Sequence, residues 1–496
     1  AGQWRSIYMT FSAHYAFKGR YIADFSIRRD GTTKFGDNKR WGTFPALSFR
    51  WNVVDEPWMK GTQKWLSMLS LRPGWGRVGS QPTDEYLFFS KYTGTDSYNG
   101  ANSIYPSNIR LSNLQWEEKE TWNVGFDLGL FNNMITADFN IYTQMTSKLL
   151  MRDVKLPSSS GFSSLSWTNV GKMRNNGWEF NVNGTDVVKV GKFRLGFNVT
   201  FANNKNEIVE MEPTALSNLN KDFDNKNGSY LTRIQLNNPF GAIYGFRYKG
   251  VYQYSDYSEV EVPGVSGPNA PVARDENGNV IRDKAGFTIP MVFGYDKTTN
   301  TELYEFQGGD AIYEDINHDG NINELDIVYL GSSLPKITGG WGLKLSYGRW
   351  SLNAQFNFRA GNKVINEARM NAESMYNNNN QAASVNWRWR TEGQVAEIPR
   401  ALYNKGFNYL GSDRFVEDAS FMRLNYLSLG YSLNPKLLRR IGVNSLSINL
   451  NASNLFCLTN YSGADPEVGY GGMSVATDGA KTPRSRQFTA RVQIGF

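Results

Sequence analysis

A single cysteine, Cys457, and two histidines, His14 and His318, are all that 496 residues offer of those types. One cysteine excludes a disulfide within the chain and any CxxC pair for redox chemistry or zinc. Two isolated histidines leave little for acid–base work, and no G-x-S-x-G elbow or H-E-x-x-H helix motif occurs. No apolar run reaches the roughly 18 residues that a membrane-spanning helix requires, and mean hydropathy is −0.48. The opening residues Ala1-Gly2-Gln3-Trp4 contain neither the charged nor the apolar region of a secretory leader. Length alone suggests about three domains, yet no composition shift and no Pro- or Ser-rich linker divides the chain. The net charge of +7 is carried by scattered Lys and Arg with no nucleic-acid-binding motif. No nucleic acid is therefore expected as a partner, and the basic balance suits a lumen or anionic lipid headgroups.

What the chain does have is alternation. It ends Phe488-Thr489-Ala490-Arg491-Val492-Gln493-Ile494-Gly495-Phe496. Successive strand side chains point to opposite faces, so one side is apolar and the other polar. The pattern recurs at Tyr21–Arg28, Leu47–Val53, Trp122–Gly129, Ile135–Ile141, Trp178–Val182, Phe193–Phe201, Trp341–Tyr347, Trp350–Phe358, Leu427–Leu433 and Leu446–Ala452. Segments of about ten alternating residues are the mark of a transmembrane β-barrel, which spans the bilayer while only every second residue meets lipid. Aromatics at 14% supply interfacial girdles, and 48 glycines supply turns. The competing fold, a large soluble β-sandwich or solenoid, would need a second layer to cover the apolar face.

Connections alternate in length. Short ones fall near Lys18-Gly19, Asn132-Asn133, Val187–Val190, Gly348-Arg349 and Asn434–Gly442. Long ones cover about 79–117, 149–175, 205–335, 362–414 and 456–483. Short periplasmic turns and long extracellular loops place these sets on opposite sides of the membrane. Counting back from a last strand that runs into the periplasm keeps this parity only if the strand-like Gly241–Tyr254 does not span. The expected fold class is therefore all-β, a transmembrane antiparallel barrel with long extracellular loops and about 13 spans in this chain. An odd number cannot close a bacterial single-chain barrel, so further strands are expected upstream of Ala1, along with the missing leader.

One local motif is sharp. Asp315-Ile316-Asn317-His318-Asp319-Gly320-Asn321-Ile322-Asn323-Glu324-Leu325-Asp326 carries oxygen side chains at positions 1, 3 and 5 of a calcium loop, Gly at 6 and an acidic residue at 12. Asp315, Asn317 and Asp319 would bind through side chains and Asn321 through its carbonyl. Asp326, shorter than the usual Glu, would close the site around a structural Ca²⁺ in an extracellular loop. The alternative is an Asx-turn-rich loop without metal. Gly74-Trp75-Gly76-Arg77-Val78-Gly79 matches GxGxxG, but Ser80-Gln81-Pro82 follows where a dinucleotide site needs a helix. His14 falls on the polar face of the first strand, a hydrogen-bonding position in a lumen. Together these features imply a membrane pore or transporter and give no support to an enzyme.

Several blocks extend the reading: Arg28-Arg29-Asp30-Gly31-Thr32-Thr33-Lys34-Phe35-Gly36 with Arg40-Trp41-Gly42-Thr43-Phe44-Pro45; Trp178-Glu179-Phe180; Ala242-Ile243-Tyr244-Gly245-Phe246; and the Asp315–Asp326 loop. The end carries Arg414-Phe415-Val416-Glu417-Asp418-Ala419-Ser420-Phe421 and Tyr461-Ser462-Gly463-Ala464-Asp465-Pro466. With these the chain resembles the C-terminal part of SusC/RagA family TonB-dependent outer-membrane transporters, across residues 1–496. No plug, TonB box or first strands are recognisable in it. The resemblance implies a barrel of about 22 strands in the Gram-negative outer membrane, completed by N-terminal strands and a plug. It also implies a SusD-like surface lipoprotein as lid, a TonB complex that pulls on the plug, and import of oligosaccharides or peptides. Two other readings stay open at this stage: a passive porin or channel, and a surface β-rich glycan-binding module. Ligand-contact residues are not identifiable from the sequence.

Overall fold

Thirteen strands with alternating patterns assemble into one antiparallel sheet in a computed structural model, which describes residues 3–94, 104–220, 230, 234–257, 271–294, 304–438, 442–467 and 475–496. In chain order they are β1 (Ser6–Phe17), β2 (Tyr21–Thr32), β3 (Trp41–Asn52), β4 (Leu66–Ser80), β5 (Glu117–Leu130), β6 (Ile135–Ser147) and β7 (Gly171–Val190). The sheet continues with β8 (Phe193–Met211), β9 (Ile337–Tyr347), β10 (Trp350–Ala360), β11 (Phe421–Ser432), β12 (Ser445–Thr459) and β13 (Gln487–Gly495). Every strand pairs only with its sequence neighbours in this sheet, so the topology is an up-and-down meander. Among the described residues, the outer edges of β1 and β13 pair with nothing, and the sheet is open.

Register makes a continuous band from the separate alternations. Ala13 faces Phe25, Phe25 faces Leu47, Leu47 faces Trp75 and Trp75 faces Trp122. Further along, Val199 faces Trp341, Trp341 faces Phe356, and Phe356 faces Leu424, which faces Phe456. A slip of one residue anywhere would turn that strand's apolar set to the other side. The two faces also differ in crowding. Trp122, Val124 and Phe126 are 56%, 50% and 41% exposed, whereas Ser70 and Asp127 on the opposite face are 1% and 7% exposed. Side chains splay on a convex surface and converge on a concave one, so the apolar band is the outside of a curved wall.

The strand connections alternate as parity requires. At one end lie 18–20, 53–65, 131–134, 191–192, 348–349 and 433–444; at the other lie 33–40, 81–116, 148–170, 212–336, 361–420 and 460–486. Ala242–Gly245 and Tyr248–Val251 are indeed strands outside the wall, paired with Val328–Ser332 and Ala311–Tyr313. One expected turn is misplaced. Val187–Val190 is still strand, and the turn is Gly191-Lys192; an irregularity between Gly184 and Val188 had broken the alternation there. Loop bounds shift too, because strands outrun the bilayer. A span needs about 9–11 residues, while β7 and β8 hold 20 and 19 and project beyond the band as a ribbon.

The GxGxxG stretch is strand β4, and its glycines serve packing. A Cβ on Gly79 would stand 2.0 Å from Cζ of Phe44, and one on Gly42 would stand 2.4 Å from the same atom. Both glycines therefore make room for the Phe44 ring, which packs with Phe35 and Trp116 at the long-loop end.

Candidate functional site

The concave face of the wall is a hydrogen-bonded polar surface. Asp127 on β5 accepts from Arg72 Nε at 2.8 Å and Nη2 at 2.6 Å, from Arg50 Nη2 at 2.7 Å and from Ser70 Oγ at 2.9 Å. Further round, Asn181 Nδ2 donates to Asp138 at 2.9 Å, Gln355 Nε2 to Asn198 at 3.1 Å, and Tyr426 OH to Asn451 at 2.9 Å. His14 lies on this face, with Nδ1 2.6 Å from Asp24 Oδ1, as its place on β1 predicts. Strand alternation puts each of these groups inward, and neighbouring strands supply partners that water would otherwise provide.

Above the wall, the described parts of the connections 212–336, 361–420 and 460–486 fold together as a cap. Tyr244, Phe246, Phe293, Phe306, Tyr313, Ile322 and Leu410 form its core, drawn from segments far apart in sequence. At its centre Asp310, fully buried, accepts from Arg400 Nε at 2.7 Å, Tyr304 OH at 2.7 Å, Gln307 N at 2.9 Å and Asn408 Nδ2 at 3.2 Å. Burial, with Asp310 beside it, pushes the Tyr304 hydroxyl well above the ordinary tyrosine range. A second junction joins 361–420 to 460–486. Glu417 accepts from Ser462 N at 2.9 Å and from Asn366 Nδ2 at 3.1 Å, with Arg369 at 3.4 Å. Burial alone would raise the Glu417 carboxyl, but these donors together hold it below its usual value. Arg414 and Glu373, both nearly inaccessible, pair at 2.7 Å.

The Asp315–Asp326 loop sits against this cap. Asp315 accepts from the N–H of Asp319 at 3.2 Å and of Gly320 at 2.8 Å, and Asp319 accepts from Asn321 N at 2.8 Å. Asn317 Nδ2 donates to Asp319 at 2.9 Å. Gly320 takes φ +79°, and a Cβ there would meet Ala273 at 2.7 Å, so both conformation and space demand glycine. Ile322 is buried in the cap core, anchoring the loop. Asp326 is fully buried, and its two oxygens accept Ile316 N and Asn323 N, each at 2.8 Å, which ties the loop's ends together. Burial pushes its carboxyl up to about 6, with Asp315 and Asp319 adding to the rise. Among the described residues, no three His, Cys, Asp or Glu side chains already converge as a metal cage.

Comparison with known proteins decides what this architecture is. The family profile described as "TonB dependent receptor-like, beta-barrel" matches residues 6–295. The chain belongs to the TonB-dependent receptor β-barrel family. It is 28% identical to TonB-dependent receptor P39 of Formosa agariphila over 97% of this chain and 45% of the relative. It is 26% identical to TonB-dependent receptor SusC of Bacteroides thetaiotaomicron over 97% of this chain and 43% of SusC. Its fold matches the structure of the RagAB peptide transporter with a TM-score of 0.73 at 24% identity, over 99% of this chain and 48% of that one. The chain thus spans about half the length of the curated relatives it matches. As a TonB-dependent receptor barrel it lies in the Gram-negative outer membrane, in a family that is not enzymatic. Its apolar face meets lipid, its short turns are periplasmic, and its cap is extracellular.

Sequence reading missed the Asp310–Arg400 junction and the cap core, because nothing local marks residues that meet only after folding. One signal was there to find. Arg274-Asp275 with Gly278 and Arg282-Asp283 with Gly286 repeat at a spacing of eight residues. They form two successive hairpin turns, in which Asp275 and Asp283 each accept two backbone N–H groups at 2.8–2.9 Å. The Asp315–Asp326 loop leans on the first through His318 Nδ1, 3.2 Å from the Arg274 carbonyl.

Proposed function

We propose that this chain supplies barrel wall and extracellular cap to a SusC-type importer that moves oligosaccharides or peptides across the outer membrane. A SusD-like lipoprotein would act as lid, and TonB would act on a plug that the rest of the barrel encloses. The observation that carries this reading is that the likeness to SusC runs through wall and cap alike, over 97% of the chain. A passive channel would have no use for a plug or for energy. The name of the RagAB relative speaks of peptides, and the SusC relative's does not state a substrate, so both ligand classes belong in the test. Cells carrying the complete transporter should take up labelled oligosaccharide or peptide, and collapsing the proton-motive force should abolish uptake. Uptake that persists without that force would identify a passive channel instead.

We propose also that the Asp315–Asp326 loop holds Ca²⁺. The fit rests on the chemistry of the donors: hard oxygens from Asp315, Asn317, Asp319 and Asn321 at the spacing of a calcium loop. Asp326 would then act mainly as the latch, each oxygen keeping a lone pair beyond its backbone bond. Bound Ca²⁺ would stiffen the cap and take no part in chemistry.

A further inference from the structure

The outer wall is not evenly covered with side chains. Across β3 to β8, from the middle of the apolar band toward its extracellular end, a trough of about 830 Å³ opens on the lipid side. Its floor is low because Pro73, Val124 and Ile141 face outward there, and its sides are raised by Phe49, Trp75 and Trp178. The tryptophans at its upper edge are held in place. The indole N–H of Trp75 and that of Trp122 both donate to Glu120 Oε1, at 2.9 and 3.1 Å, with ring centroids 5.8 Å apart. Arg77 fixes the same carboxylate from above, with Nη2 2.9 Å from Oε2. A wall that needed only to be greasy would not tether two indoles to one carboxylate within the membrane interface. Such tethering keeps both rings from falling into the trough and filling it.

The rim changes character toward the extracellular side, where Thr143, Asn176, Asn203 and Lys205 complete the lining. Lys205 is exposed, and no ion pair of its own is found among the described residues. Alternation along β8 puts it on the same face as Phe201 and Asn203, so its ammonium stands above the apolar trough at headgroup height. An apolar trough with an ammonium at its rim matches an acyl chain joined to a phosphate.

We propose that this trough is a specific seat for lipopolysaccharide of the outer leaflet, with an acyl chain against Val124 and Ile141 and a phosphate facing Lys205. A protein partner is disfavoured by the site's depth in the lipid band and by a floor with almost no hydrogen-bonding groups. The inference rests on outer-membrane placement and not on what is transported, so uptake could fail while lipid binding holds.

The test uses the complete transporter purified in mild detergent, stripped of lipid and then incubated with lipopolysaccharide or with phosphatidylglycerol vesicles. Retained lipid is measured by mass spectrometry. Lys205→Glu reverses the rim charge and Ile141→Trp fills the floor; Leu450→Trp, on the outer face of β12, serves as control. Retained lipopolysaccharide should fall by about five-fold or more in Lys205→Glu, the effect of one headgroup charge contact, and should fall in Ile141→Trp because the acyl chain loses its seat. It should stay at the wild-type level in the control, with heat-modifiable barrel preserved in all three. Equal retention by wild type and Lys205→Glu, equal loss in Leu450→Trp, or retention of phosphatidylglycerol in place of lipopolysaccharide would each overturn the proposal. If Ile141→Trp fails to assemble, Lys205→Glu decides alone.

Discussion

In the wall, Trp122, Val124 and Phe126 stand half-exposed outside while Ser70 and Asp127 are buried within; in the cap, Phe293, Phe306 and Ile322 are buried at 1%, 0% and 0% exposure. One chain obeys two opposite burial rules within the span of a single strand pair. The wall meets hydrocarbon, where apolar side chains cost nothing by facing out and every backbone group must be paired between strands. The cap meets water, so it folds as a small globular protein does, with apolar surface removed and charges saturated. The change occurs along β7 and β8, whose outer faces turn from Trp178 and Phe201 to Asn176 and Lys205 as the ribbon leaves the bilayer.

If the cap is held by its own centre and not by the wall, breaking that centre should leave the wall standing. Asp310→Ala would strand the Arg400 guanidinium, a loss of about 3–5 kcal/mol for a buried pair. The expected result is a cap cut readily by protease over a barrel that still shows heat-modifiable mobility. Loss of both together would mean that cap and wall are one cooperative unit.

The converse is a charge on the outside of the wall. Val124→Arg, near the middle of β5, should cost about 2–4 kcal/mol at the bilayer midplane and lower the amount of assembled barrel. Asn123→Arg, one residue earlier and facing in, should assemble normally. Similar losses from both would break the assignment of faces.

Calcium should touch the cap alone. Saturating Ca²⁺ at about 100 times its dissociation constant would stabilise the loop by about 2.7 kcal/mol. Chelation should therefore expose sites near the Asp315–Asp326 loop to protease, with Asp319→Ala already exposed and indifferent to the metal. Protection that is the same with and without Ca²⁺ in wild type would remove the ion from the account. The smallest effect should come from Lys172→Ala. Its pair with Glu210 lies on the exposed ribbon, side chains 46% and 61% exposed, and such pairs contribute about 0–1 kcal/mol. Any measurable change in thermal unfolding beyond that range would show that the ribbon is more tightly coupled to the cap than its exposure suggests.

The wall was legible residue by residue. Phe488 through Phe496, Trp350 through Phe358 and Phe193 through Phe201 announce their faces by alternation, and parity correctly kept Ala242–Gly245 out of the sheet. Where the local pattern broke, at the irregularity between Gly184 and Val188, the reading put a turn three residues early. In the cap, the spacing of Asp315, Asn317, Asp319 and Gly320 marked a loop that does fold on its own hydrogen bonds. Its neighbours were invisible, because Asp310 and Arg400 lie 90 residues apart.

The physical reason is the range over which each region's contacts act. A strand in lipid is specified by a period of two and by pairing with the next strand along the chain, so the amino-acid order by itself determined the faces, the spans and the alternation of long and short connections. The cap's core joins Tyr244, Phe306, Ile322 and Leu410 across intervals with no period at all. Only the tertiary structure decided which of them meet, that Asp310 needs Arg400, and that two tryptophans share one carboxylate above a trough in the wall, since each depends on surfaces created when distant segments close on one another.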